Sequence, residues 1–268
     1  MTHSEKDQNV RLEIARKPLW GLMGKFTRPK NTAMIKNVKL GFSTGALYKS
    51  AETKEAISII KNLGCKAIEI GFVKADKFLN SGQLERIEKS DLEGFDYVSL
   101  HAPGFDYNND KETINIFEKI SNFSREIRRL DLVVFHPDTV NDFSIFDNVD
   151  FKIGFENMDH RKGSCRTVED IELVLSQNSR FKLILDVNHV WINDPTMKLA
   201  QYFYKKLGDK IAQIHLSGFK ELHDPLFETK QLEIIKAIQN LDVPIIIESV
   251  VAQETIKKER DYILDNIG

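Results

Sequence analysis

Lys182-Leu-Ile-Leu-Asp186-Val-Asn-His189 sets a short apolar run against an acid and places a histidine three residues further on. An apolar run of that length, with no polar alternation, reads as a strand covered on both faces, as in a parallel sheet. A carboxylate where such a strand leaves the core is costly unless something pairs with it. One Asp-x-x-His alone reads as an aspartate capping the next helix. The pattern recurs, however. Tyr97-Val-Ser-Leu-His101, Leu132-Val-Val-Phe-His136 and Ile211-Ala-Gln-Ile-His215 end in histidine, while Phe151-Lys-Ile-Gly-Phe-Glu156 and Pro244-Ile-Ile-Ile-Glu248 end in glutamate. Ala67-Ile-Glu69-Ile is a looser example. Carboxyl ends of strands are where (β/α)8 barrels keep their chemistry, and His, Asp and Glu together are a set of metal ligands.

The remaining chain supplies the alternation that a barrel needs. Strands are predicted over 38–43, 66–72, 97–101, 132–136, 151–156, 181–186, 211–215 and 244–248. Helices are predicted over 51–63, around 83–89, after Asp110, from Thr167 to Leu175, from Asp194-Pro195, over 232–241 and over 254–267. Gly64 follows the first helix in a position that helix C-termini favour, and Thr167-Val-Glu-Asp170 resembles a capping box. After Asp110, the residues Ile114, Phe117, Ile120, Ile127 and Leu130 suggest an apolar stripe. Eight strands alternating with helices predict an α/β fold, a (β/α)8 TIM barrel. A doubly wound sheet would show a glycine-rich phosphate loop after an early strand, and Gly41 and Gly45 do not make one.

A chain of 268 residues suits such a barrel as a single domain, here over residues 37 to 268. Residues 1 to 36 form an N-terminal extension rich in Arg and Lys, read as a disordered arm, a peripheral helix or a segment across the barrel floor. A formal net charge of -2 argues against a dedicated nucleic-acid binder, although a local basic surface is compatible with it. Cys65 and Cys165 show no CxxC spacing and read as free thiols in a reducing compartment. No apolar run approaches the roughly 18 residues of a membrane span, so no membrane partner is expected and the cytoplasm is the default location. Homo-oligomerisation is left open.

Parallel strands bring their carboxyl ends to one mouth, so His101, His136, Glu156, Asp186, His215 and Glu248 are expected to be neighbours. Such a set repels or stays unpaired without a cation, which points to a bound divalent metal. A lone histidine among them reads as an ordinary polar core residue. Glu69 is expected to pair with a lysine or contact substrate, and Trp191 and Phe219 to wall the mouth or pack on a helix. His160 and Arg161, in the loop after strand five, read as solvated.

The run of strand endings from about residue 38 onward resembles the xylose isomerase-like TIM-barrel superfamily, which includes sugar isomerases, epimerases and endonuclease IV. In the epimerase branch the resemblance implies one Mn, Mg, Co or Zn ion held by Glu156, Asp186, His215 and Glu248. The substrate would be a sugar or sugar phosphate, with Glu156 and Glu248 moving the proton across a metal-bound enediolate and His189 polarising a substrate oxygen. Arg161 or Lys220 would meet a phosphate. In the endonuclease IV branch it implies up to three Zn ions, with His101, His136, His189 and His223 as further ligands. Glu156 would then bridge metals, and water would be activated against a phosphodiester of abasic DNA.

Departures from the second branch are specific. Glu221-Leu-His223 stands where that family has Asp-Arg-His, and Leu-Ser-Gly-Phe-Lys follows His215 in place of Asn-Asp-Ser-Lys. These departures and the near-neutral charge place the isomerase or epimerase reading first and the endonuclease-like reading second. A barrel that only binds, without turnover, is the third.

Overall fold

The computed structural model describes residues 38–127 and 130–268, and the expected extension over 1–36 lies outside them. Eight parallel strands close into a barrel in sequence order, with β1 hydrogen-bonded to both β2 and β8. They are β1 Leu40–Ser43, β2 Ala67–Gly71, β3 Tyr97–His101, β4 Leu132–Phe135, β5 Ile153–Glu156, β6 Lys182–Asp186, β7 Ile211–Leu216 and β8 Ile245–Ile247. Around them lie α1 Thr53–Asn62, α2 Ala75–Asn80, α3 Lys89–Leu92, α4 Lys111–Glu126 and α5 Val168–Ser176. The chain continues through α6 Val187–Asn193, α7 Lys198–Leu207, α8 Leu226–Thr229, α9 Leu232–Lys236 and α10 Ile256–Asn266.

Period-two alternation sorts each strand into an outward and an inward set. Phe42, Ile68, Leu100, Val133, Phe155, Leu183, Ile214 and Ile247 pack outward with the helices. Ala67, Tyr97, Leu132, Val134, Ile184 and Ile246 form a separate cluster, the apolar floor inside the barrel. Above this floor the same parity delivers Glu69, Ser99 and Gln213, all fully buried, and then the strand-end acids and histidines. Space inside is tight. A Cβ on Gly41 would meet the Ala67 carbonyl oxygen at 1.6 Å, and one on Gly154 would meet Ile184 Cδ1 at 2.5 Å.

Three local expectations are corrected. No helix spans 83–89: Gln83–Arg86 is a turn following Gly82 at φ +66, and Leu84 and Ile87 reach the core from it. The helix starts instead at α3, where Glu88 and Asp91 form a capping box. On α4 the buried stripe is Ile116, Phe117, Ile120 and Phe123, continued by Ile127, whereas Ile114 is 49% exposed. Steps of three and four residues from Ile116 keep that set on one face, and Ile114 falls off it. The helix expected from Asp194-Pro195 begins at Lys198, because Asp194 accepts from the backbone of Thr196 and Leu199 and holds the turn before it.

Two capping expectations hold. Thr167 and Asp170 make the capping box of α5, and Gly64 follows α1 at φ +76. Among the described residues, no helix is long and apolar enough to cross a membrane.

Candidate metal centre

The strand ends converge as parallel topology requires. Single ligand atoms from Glu156, Asp186, His215 and Glu248 all lie within 4.8 Å of one another, and so do atoms from His101, Glu156 and His215. Glu156 stands at the centre and is 1% exposed. Its Oε1 lies 3.3 Å from His189 Nδ1 and 3.4 Å from His215 Nδ1. Its Oε2 lies 3.3 Å from His101 Nε2 and 3.4 Å from His136 Nε2.

Hydrogen bonds away from this centre orient the rings. His101 Nδ1 donates to the Ala102 carbonyl, which leaves Nε2 facing Glu156. His189 Nδ1 lies 2.8 Å from the Asn157 carbonyl, so its Nε2 is turned toward Asp159 Oδ2 at 3.5 Å. Asn157 also clasps the backbone N–H and C=O of Asp186, which locks the ends of β5 and β6 together. His223 is peripheral: its Nδ1 sits 3.0 Å from Ser217 Oγ and 4.0 Å from Glu248 Oε2. His136, His189 and His223 lie outside both tight groups.

Whether this set suits a cation is answered by its unsatisfied atoms. Asp186 Oδ2 and His215 Nδ1 are buried, and neither has a hydrogen-bond partner. Leaving buried polar atoms unpaired is costly, and both belong to residues of the tight quartet. The electrostatics agree. Burial works against charge on His101, yet the bond to Glu156 and the charges of Glu69, Glu156 and Glu248 raise it to about 9. Burial first, and then Glu156 and Glu248, push Asp186 up to about 8. Burial also opposes a charge on Glu156, but His215, His101 and His136 hold its carboxyl well below the usual range. Acids and imidazoles that hold protons among themselves in this way are a set from which a divalent cation displaces protons. The residues fit the ion.

Several side chains depart from expectation. Glu221 is exposed, and the acid that organises its loop is Asp224, whose Oδ2 accepts from the N–H groups of Lys220, Glu221 and Leu222. Arg161 is not simply solvated, since it ion-pairs with the buried Asp159. Among the described residues Glu69 meets no lysine, and it lies fully buried beside His215. Trp191 and Phe219 lie against each other, with ring centroids 5.9 Å apart. Sequence reading missed Asn157, Asp159 and Gln213. Gln213 was legible by parity, two residues before His215 on the same face. Asn157 and Asp159 lie past the end of β5, where alternation no longer predicts direction.

No protein-family model and no curated protein matches this chain in sequence. Solved structures match in fold. Endonuclease IV from Thermus thermophilus is 13% identical with a TM-score of 0.60, over 84% of this chain and 97% of that one. The probable 3-DHS dehydratase AsbF from Bacillus anthracis gives 14% identity and a TM-score of 0.61, over 83% and 97%. The 3-keto-D-glucoside 4-epimerase YcjR from E. coli gives 16% and 0.54, over 84% and 98%. These likenesses show the fold, a (β/α)8 barrel that a solved epimerase, a dehydratase and an endonuclease also adopt.

Proposed function

We propose that this chain is a multi-cation phosphodiesterase of the endonuclease IV type, acting at abasic sites in DNA. One observation carries the reading: Glu156 presents each of its two oxygens to a different pair of imidazoles, His189 with His215 and His101 with His136. A carboxylate flanked on both sides in this way is disposed to bridge two cations, and neither oxygen is left to act as a base. The sequence ranks the isomerase reading first, and the surroundings of Glu156 are what support placing the phosphodiesterase ahead of it.

Cations held there would supply Lewis acidity and a lowered pKa for water at neutral pH. The chain's own residues do the rest. His101 and His136 would hold one ion with Glu156 Oε2, while Asp186, His215 and Glu248 would hold another with Oε1. The Glu248 side chain is 15% exposed against 2% for Glu156, so Glu248 is the carboxylate placed to meet a substrate or accept its proton. Arg161, held by Asp159, and the exposed Lys220 lie in loops after β5 and β7, on the same face, and suit a phosphate. Exposed Tyr48, Val73 and Leu222, in the loops after β1, β2 and β7, offer that face apolar surface for unstacked bases.

The second reading, a sugar isomerase or epimerase with one ion, draws support from the tight quartet of Glu156, Asp186, His215 and Glu248. Elemental analysis of the purified chain, run beside a nicking assay on a duplex with one abasic site, separates the two. Two or three zinc ions per chain with chelator-sensitive nicking supports the phosphodiesterase. One exchangeable manganese, cobalt or magnesium with no nicking, and interconversion of ketose epimers, gives the site to the isomerase.

A further inference from the structure

We infer that Glu69 is a positioning residue, which fixes the tautomer of His215 so that its Nδ1 is free to bind a cation. Glu69 lies on β2, one layer below the strand-end ligands, and is fully buried. Its Oε2 gathers Gln213 Nε2 at 2.6 Å, Ser99 Oγ at 3.1 Å and His215 Nε2 at 3.2 Å. Its Oε1 has no partner. Among the described residues its ion-pair partner is His215 on β7, reached across the barrel interior. Packing does not account for a carboxylate at this depth, because an apolar side chain would extend the floor of Ala67, Tyr97 and Ile184 without an orphaned oxygen.

The chemistry of the ring accounts for it. A neutral imidazole carries one N–H, and the nitrogen that binds a metal must lack it. His215 Nδ1 faces the quartet, 3.4 Å from Glu156 Oε1 and 3.5 Å from Glu248 Oε1, and makes no hydrogen bond. The proton therefore belongs on Nε2. Two groups lie beside that nitrogen, Gln213 Nε2 at 2.6 Å and Glu69 Oε2 at 3.2 Å. The amide nitrogen is a donor and cannot accept the proton, so its 2.6 Å approach must open when Nε2 carries one, and turning the amide over would set its oxygen against Glu69 Oε2. Glu69 is left as the acceptor. Its charge also makes the ring a stronger ligand, as carboxylates behind metal-bound histidines do.

The inference rests on the cation site and not on the choice of substrate. Zinc affinity of the full chain is measured by competition with a chromophoric chelator, beside the 15N–1H spectrum of the histidine rings with zinc bound. Glu69→Gln is expected to weaken zinc binding about 10- to 100-fold, the range for removing such a partner, with the zinc-free melting temperature unchanged. Gln213→Leu, which leaves the acceptor in place, is expected to hold its affinity to within a few-fold. In the wild-type protein with zinc bound, His215 is expected to show its proton on Nε2. A proton on Nδ1, unchanged affinity in Glu69→Gln, or an equal loss in Gln213→Leu each overturns the role of Glu69. The wild-type spectrum decides even where a variant does not fold. A wild-type chain that binds no zinc overturns the metal centre itself.

Discussion

Asp186 caps the backbone of His189 with one carboxylate oxygen and leaves the other, 3.5 Å from His189 Nδ1, without a hydrogen bond. Its Oδ1 accepts the His189 backbone N–H at 2.9 Å and caps α6, while Oδ2 is buried without any donor. One oxygen caps the helix, and the other is the one proposed to meet a cation. Asparagine caps as well as aspartate does, so Asp186→Asn is expected to keep thermal stability near wild type while losing zinc affinity by more than tenfold. Asp186→Ala is expected to lose the affinity and about 1 kcal/mol of stability besides. Melting curves with chelator present and zinc titrations without it measure the two effects apart. Equal zinc affinity in Asp186→Asn and wild type would remove Oδ2 from the site.

If Glu156 serves two cations, as proposed, the number of bound ions depends on His101 and His136. His101 and His136 approach only Oε2, at 3.3 and 3.4 Å, on the side away from His189. Replacing both with alanine is expected to lower bound zinc by one ion per chain and leave the ion of the Asp186, His215 and Glu248 group in place. Elemental analysis after gel filtration reads this directly. A double variant that retains the wild-type count returns Glu156 to a single-metal role.

Glu248 is expected to be needed under either proposed chemistry. It is the most exposed carboxylate of the quartet, and its Oε1 lies 3.5 Å from His215 Nδ1. Glu248→Gln keeps the shape and removes the charge. Turnover is expected to fall by more than the roughly 100-fold that loss of a group behind a ligand costs, with the fold intact by circular dichroism. A variant with wild-type turnover in both nicking and epimerisation assays would show that the carboxylate is a bystander.

The barrel and its mouth were legible because they follow from strand periodicity. An acid or histidine ending Leu132–His136 or Pro244–Glu248 has its direction fixed by the apolar residues before it, since period two leaves no freedom. Glu69 was legible as a strand residue but not as a partner of His215, because the two are 146 positions apart and meet only when the barrel closes. Ile114 was misplaced because apolar identity alone does not report helix phase. Asp159 escaped notice for another reason: past a strand end the backbone turns freely, and its orientation is set by Arg161 and by the rings across the mouth.

Asp159 also gives the clearest pH signature. Burial tends to raise its pKa, but the hydrogen bonds and charge of Arg161, with a contribution from His189, outweigh this and hold it at about 2 against an ordinary 3.8. A depressed folded-state value means that the unfolded chain binds the proton more readily. The stabilisation is therefore complete above the unfolded value and is lost as pH falls through about 2. A gap of this size corresponds to about 2 kcal/mol for a side chain only 3% exposed. Asp159→Asn keeps the acceptor oxygen but loses the charge, so it is expected to be less stable than wild type by about that amount from pH 5 to 7. The difference is expected to shrink between pH 4 and 2, because the remaining carboxylates titrate alike in both proteins and cancel in the comparison. Urea unfolding of the two proteins across pH 2 to 7 measures it. A difference that stays constant down to pH 2 would mean that Asp159 stabilises through packing alone and not through its charge.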